Sequence, residues 1–251
     1  MLNTLTYGSA SDLPDLLIVH GLYGSARNWS VISKRLSDSR RVMAVDQRNH
    51  GDSPWCDTHS YLDMAQDLAQ VIEAHGTPMD VVGHSMGGKA AMVLALTRPD
   101  LVNRLLVADI APVAYGHDQS QYIQAMQSID LAHMEKRSDV AQALAAQVPD
   151  PTLQSFFTQS LDLANKRWKL NLDVLLRDMH HVLGFPDVTG RFDKPALFLS
   201  GANSSYVLPD HRPKIKQLFP NAVFAKIPNA GHWLHAEQPR AFEQTLRVFF
   251  K

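Results

Sequence analysis

Residues Met79–Gly88 read MDVVGHSMGG, and this stretch decides the fold. Met79–Val82 predicts a buried strand. Gly83-His84-Ser85-Met86-Gly87 follows with no intervening loop, and Met86–Arg98 continues as a nearly all-apolar helix stopped by Pro99. A strand that turns at once into a helix through Gly-x-Ser-x-Gly carries its serine at the apex of a sharp turn. The serine backbone is strained there and only small neighbours fit, which gives Gly83, Gly87 and Gly88 a steric reason to be present. Ser85 is therefore the candidate nucleophile. The plainer alternative is a glycine-rich turn that only caps a helix.

Working outward, strands and helices alternate. Asp15–Val19 (DLLIV) reads as a strand, Asn28–Leu36 as a helix, Arg41–Val45 as a strand and Arg104–Ala108 as another. Tyr61–His75 predicts a helix opened by a capping box, Ser60 with Asp63, and closed at Gly76-Thr77-Pro78. From about Val113 to Arg191 strand patterns vanish and apolar residues recur at helical spacing, as in Leu172, Leu175, Leu176, Met179 and Leu183. The alternation resumes with strand Ala196–Ser200, helix Pro209–Phe219, strand Val223–Ile227 and helix Pro239–Phe250. The expected class is α/β. Residues 1–112 and 191–251 form a mostly parallel sheet flanked by helices, and 113–190 form a helical cap inserted between two strands of its C-terminal half.

Composition narrows the function. With 24 Lys+Arg against 25 Asp+Glu, the formal charge of -1 gives no electrostatic reason to expect a nucleic-acid partner. A single cysteine, Cys56, excludes an intrachain disulfide and Cys-rich metal modules. The N-terminus has no signal-like pattern and no apolar run approaches the roughly 20 residues of a membrane span, so the expected address is cytoplasmic, without membrane insertion. None of the twelve histidines falls in an HExxH-type spacing: His180 and His181 are adjacent on a helix, and His75 and His117 lie near element ends. No metal or cofactor is expected.

A serine hydroxyl needs a base, and the base needs an orienting acid. In strand–turn–helix hydrolases these follow in the order Ser, acid, His, so His232, in the loop after the last strand, is the expected base. His235 is its one local competitor. Two backbone N–H donors should bind the developing oxyanion. Met86, directly after the nucleophile, supplies one. Leu22 supplies the other, from His20-Gly21-Leu22-Tyr23-Gly24, whose His20 ring is expected to brace the loop.

Together HGLYGS, DQRNHGDSPW, GHSMGGKAA and NAGHWLHAEQP resemble the α/β-hydrolase superfamily, and more narrowly the YbfF-type bacterial esterases. The motifs span positions 20 to 239. The resemblance implies hydrolysis of esters and acyl-CoA thioesters. In the common superfamily pattern the acid follows the strand placed here at Ala196–Ser200, yet this chain has Asn203 where an aspartate is expected. Asn can orient an imidazole but cannot stabilise imidazolium. Asp109, at the end of the preceding strand, is the expected acid, as the resemblance also implies, with Asp210 and Glu237 as alternatives. Asp46, Arg48, Asn49, His50 and Asp52 read as a hydrogen-bonded loop scaffold.

The expected reaction is acyl-ester hydrolysis by Ser85, His232 and Asp109, with kcat/KM falling as pH drops through roughly 6–7, the range of an ordinary histidine. Met126, Leu131, Met134, Phe156, Phe157, Trp168, Leu172, Leu175 and Met179 offer apolar surface for a pocket. Tyr23, Trp168, Leu172, Met179 and Trp233 are the expected substrate contacts. Residues 113–190 hold 6 Lys+Arg against 9 Asp+Glu, which disfavours a strong phosphate site; Lys166, Arg167 and Lys169 read as a solvated helix face. The expected substrate is a short- to medium-chain ester, with acyl-CoA implied only by the resemblance, and the protein a monomer or homodimer. Rival readings are a carbon–carbon bond hydrolase or perhydrolase with the same triad, and a non-enzymatic ligand-binding relative. Haloalkane and epoxide hydrolases carry aspartate at the elbow, where this chain has Ser85.

Overall fold

The computed structural model describes residues 1–251. The chain first runs through β1 (Thr4–Tyr7), β2 (Leu16–Val19), α1 (Ser30–Leu36), β3 (Val42–Val45), α2 (Tyr61–His75), β4 (Met79–His84), α3 (Met86–Thr97) and β5 (Val102–Ala108). Next come α4 (Ser120–Gln127), α5 (Arg137–Leu144), α6 (Pro151–Thr158), the two-residue strands β6 (Leu161–Asp162) and β7 (Arg167–Trp168), α7 (Leu172–Arg177) and α8 (Met179–Leu183). It returns through β8 (Ala196–Gly201), α9 (Arg212–Leu218), β9 (Ala222–Ile227), α10 (Leu234–Glu237) and α11 (Pro239–Phe249).

Seven strands form one sheet in the order β1-β3-β2-β4-β5-β8-β9, parallel except for β1, which runs antiparallel to β3. The mostly parallel, helix-flanked sheet expected from the sequence is what the chain forms. Side chains along a strand alternate faces, so strands buried on both sides must be apolar at every position. In β2, Leu17 and Val19 join the core beneath α2 and α3, while Leu16 and Ile18 join the core beneath α1 and α11. β5 and β8 repeat this: Leu105, Val107 and Phe198 pack on one side, Leu106, Ala108 and Leu199 on the other. Each such fully buried aliphatic side chain stabilises the fold by roughly 1.5–3 kcal/mol. α2 begins where expected: the Ser60 hydroxyl accepts from Asp63 N–H at 3.2 Å, and Gly76 ends the helix at φ 92°.

The departures have local causes. β1 is short and only partly buried at the sheet edge, so it carries no strong alternation. The helices expected over 28–36 and 209–219 begin as 3-10 turns, Ala26–Trp29 and Pro209–His211. The stripe from Leu172 to Leu183 is divided between α7 and α8 at Asp178, whose carboxylate accepts from His59 N–H at 2.9 Å and pairs with Arg177 at 2.7 Å. Segment 113–190 also holds a hairpin, β6–β7, where only helices were expected. Lys166, Arg167 and Lys169 lie on that hairpin, not on a helix face; Lys169 pairs with Asp52 at 2.6 Å and Arg167 with Asp162 at 3.5 Å.

The inserted segment packs on the loops that leave the carboxyl ends of the strands. Gly51 N–H donates to Lys169 C=O at 2.8 Å, Asn171 N–H to Asn49 C=O at 3.0 Å, and Ser160 Oγ to Tyr23 C=O at 3.0 Å. In an open α/β sheet this is where a ligand crevice forms. No helix is long and apolar enough to cross a membrane.

Candidate active site

Ser85 stands alone between β4, the central strand, and α3, at φ 52° and ψ -121°. For a residue with a side chain this conformation costs on the order of 1–3 kcal/mol. Ser85 N–H donates to Ala108 C=O at 3.0 Å and its carbonyl accepts from Lys89 N–H at 3.1 Å, which holds the turn. A Cβ on Gly83 would meet Gly87 O at 2.3 Å, and one on Gly87 would meet His20 O at 2.4 Å. No other residue fits either position without moving backbone.

Asp109 follows β5 directly, fully buried and also at positive φ, 53°. His232 comes from the loop between β9 and α10, and Glu237 ties that loop by accepting from Gly231 N–H at 2.7 Å and Trp233 N–H at 3.2 Å. His232 Nδ1 lies 2.8 Å from Asp109 Oδ2, and its Nε2 lies 3.0 Å from Ser85 Oγ. A carboxylate only accepts, so the proton sits on Nδ1 and Nε2 is free to take the serine proton. Thus the structure brings Ser85, His232 and Asp109 together. Asp210 is exposed on the Pro209–His211 turn, and the Asn203 side chain is exposed and makes no hydrogen bond.

His235 is no rival base by geometry. Its ring stacks on Trp29 at 4.2 Å and 13°, and burial holds it down to about 3. His84, which donates to His232 C=O at 2.8 Å, is likewise pushed well below the ordinary histidine value by burial and by its neighbours His235 and His232. Both stay neutral, and the His84 ring packs against His232 and His235.

The Leu22 and Met86 amides donate to no acceptor within the protein. Leu22 lies in the turn after β2, next to Tyr23 at φ 63°, and that turn is braced from beneath. Tyr23 N–H donates to His50 Nε2 at 3.2 Å, and Gln47 N–H to His20 Nε2 at 2.9 Å. Both rings must therefore carry their proton on Nδ1, where His20 donates to Gly21 C=O at 2.7 Å and His50 to Arg48 C=O at 3.0 Å. Asp46 holds the adjoining loop by accepting from Ala26 N–H at 2.7 Å and Asp52 N–H at 2.9 Å.

A cavity of about 270 Å³ opens onto Ser85 and His232. Leu22, Tyr23, Met86 and Trp233 line it, as do Phe156 and Phe157. Trp168, Leu172 and Met179 do not. Trp168 donates its indole N–H to Met126 C=O at 3.1 Å inside the inserted segment, Met179 is buried, and Leu172 packs against the core. Their apolar spacing reported burial, but not what they are buried against.

Sequence reasoning missed the residues that complete the cavity. Tyr115, Tyr206 and Tyr61 line it beside Lys89. The Lys89 ammonium donates to Leu183 C=O at 3.0 Å, Gly184 C=O at 2.5 Å and Val182 C=O at 3.4 Å, and it lies 4.8 Å from the centre of the Tyr115 ring. Burial pushes it down to about 7. Its three donors are spent on the end of α8, so Lys89 fastens that helix to α3. A lysine four positions after Ser85, alone in an apolar helix, was the visible signal.

A family model described as the alpha/beta hydrolase family matches residues 16–245, and the chain belongs to that family. The mouse sn-1-specific diacylglycerol lipase ABHD11 is 40% identical over 248 residues, which cover 94% of this chain and 81% of that one. Esterase YbfF of Escherichia coli is 34% identical over 238 residues, 93% of this chain and 92% of that one. A solved marine microorganism esterase superposes with a TM-score of 0.93 at 37% identity, over 99% of this chain and 98% of that one. The expected resemblance to YbfF-type esterases therefore extends over nearly the whole chain, and the protein is an enzyme of the hydrolase class.

Proposed function

We propose that the protein is a serine carboxylesterase acting on short- to medium-chain acyl esters. The observation that carries this reading is the unbroken line from Ser85 Oγ through His232 to Asp109, at 3.0 and 2.8 Å, open to an aromatic cavity. Ser85 attacks the ester carbonyl as His232 Nε2 takes its proton, Asp109 stabilises the imidazolium, and the Leu22 and Met86 amides receive the oxyanion. His232 then protonates the departing alcohol. A water, deprotonated by the same ring, releases the acid and restores Ser85.

The cavity supports the choice of substrate. No carboxylate lines it, and its single cation, Lys89, has its donors occupied, so an uncharged ester fits better than a polyanion. Its volume of about 270 Å³ lies below the roughly 300–1,000 Å³ typical of ligand pockets, which suits a small substrate. The esterase and lipase names of the relatives point to the same bond. Residues 113–190 serve as a cap that closes the cavity over Ser85.

A panel of p-nitrophenyl esters from acetate to palmitate, run beside acyl-CoA thioesters, tests the proposal. The expected result is the highest kcat/KM at butyrate to octanoate, with a steep fall at palmitate. Turnover of no ester, or preference for acyl-CoA over every simple ester, would overturn it.

A further inference from the structure

The turn that carries the Leu22 amide is held from above as well as from beneath. Gly24 N–H donates to Gly21 C=O at 3.1 Å, which puts Leu22 and Tyr23 at the corner of a four-residue turn. Tyr23 takes the third position at φ 63°, where such turns favour glycine or asparagine and a bulky side chain is strained. Its N–H turns to the core, on His50. Its other two polar groups are both engaged by the inserted segment: the hydroxyl donates to Gln119 C=O at 2.9 Å, directly before α4, and the carbonyl accepts from Ser160 Oγ at 3.0 Å. The buried ring meets Phe157 of α6 edge-on at 5.3 Å and 86°. A strained residue next to the Leu22 amide is thus fastened at three points to residues 113–190.

We propose that Tyr23 is a positioning residue through which segment 113–190 sets the Leu22 amide as an oxyanion donor; this rests on the esterase reading above. The planar peptide between Leu22 and Tyr23 turns as one unit. Tyr23 therefore cannot leave the left-handed region without releasing His50 or opening the turn that aims the Leu22 amide. The bonds from Gln119 and Ser160, with the Phe157 contact, oppose that relaxation. A donor fixed in advance costs no reorganisation when charge develops on the substrate oxygen. Here it is fixed only while the inserted segment sits on the turn. Besides covering Ser85, that segment completes the oxyanion site.

The test compares wild type, Tyr23→Phe, Ser160→Ala, the double variant and Ser160→Thr on p-nitrophenyl butyrate and against a trifluoromethyl ketone of the same chain length. Ser85 Oγ adds to the ketone's carbonyl carbon, its proton passes to His232, and the carbonyl oxygen becomes a stable oxyanion for the Leu22 and Met86 amides. Removing one oxyanion donor outright costs about 10²–10³ in kcat, so loosening one in the double variant is expected to lower kcat about tenfold, with KM within about twofold. The Ki of the ketone, which mimics the transition state, should rise by the same factor of about ten. The acidic limb of kcat/KM should stay in place, because the triad is untouched. Each single loss should cost about threefold in both kcat and Ki, and Ser160→Thr, which keeps the hydroxyl, should match wild type. If the double variant does not fold, the single variants carry the test. A Ki that stays at the wild-type value overturns the assignment whatever happens to kcat, because a merely structural role reduces the amount of active enzyme without weakening the inhibitor. A displaced acidic limb also overturns it, since the damage then lies at His232. Wild type that neither hydrolyses the ester nor binds the ketone would instead bring down the esterase reading, and this assignment with it.

Discussion

Exchanging Asp109 for asparagine replaces one oxygen by an NH2 group in a fully buried side chain, and its neighbours dictate which way the amide turns. Gly201 N–H, 3.1 Å from Oδ1, requires an acceptor, so the amide oxygen takes that position. The NH2 group then stands where Oδ2 was, facing Ser204 Oγ and His232 Nδ1. It can only donate, so His232 must offer a bare Nδ1 and carry its proton on Nε2, which faces Ser85 Oγ across 3.0 Å. A ring in that form cannot accept the serine proton. The same exchange in a serine protease costs about 10⁴ in kcat, or about 5 kcal/mol at 1.36 kcal/mol per tenfold. Asp109 does not line the cavity, so the loss should fall on kcat and leave KM nearly unchanged. Asn203→Ala changes an exposed side chain without a hydrogen bond and should leave kcat within about twofold. Initial rates on p-nitrophenyl butyrate, with a thermal melt of each variant, give the comparison. A folded Asp109→Asn within tenfold of wild type, or a collapse in Asn203→Ala, would refute the reasoning.

Two further outcomes are expected. His50→Leu removes the acceptor for Tyr23 N–H and the donor for Arg48 C=O, so stability should fall by about 1–3 kcal/mol per orphaned group, and kcat should drop as the Leu22 amide loses its support; unchanged kcat would count against Leu22 as an oxyanion donor. Burial lowers the pKa of His20, His50, His59, His84 and His235, reaching about 3 for His59 and His235, while the unfolded chain protonates them near 6.5. The unfolded state therefore binds more protons below pH 6.5, so stability is full above that value and is lost as pH falls from about 6.5 towards 3. Urea midpoints that stay flat between neutral pH and about 5 would contradict this.

What the sequence disclosed follows from the range of the forces involved. The elbow at Ser85, the capping box at Ser60 and the doubly buried strands are local patterns, dictated by backbone sterics and period-two burial, and they are legible in the chain. β1 escaped notice because an edge strand half in water needs no alternating pattern. That Trp168, Leu172 and Met179 lie away from the cavity was not legible, because apolar patterning reports that a side chain is buried but not which side of the inserted segment receives it. Ser204 was invisible for a different reason. Its partner is 95 residues away and meets it only through the pairing of β5 with β8. The side chain that contacts Asp109 is the one directly after Asn203.

The central claim is that Ser85 is a nucleophile activated by His232. Incubating the folded protein with a fluorophosphonate and mapping the adduct by mass spectrometry tests it most directly. The account predicts one adduct per chain, located on Ser85, abolished in Ser85→Ala and formed far more slowly in His232→Ala. Folded protein that takes up no label, or carries it on another residue, would contradict it.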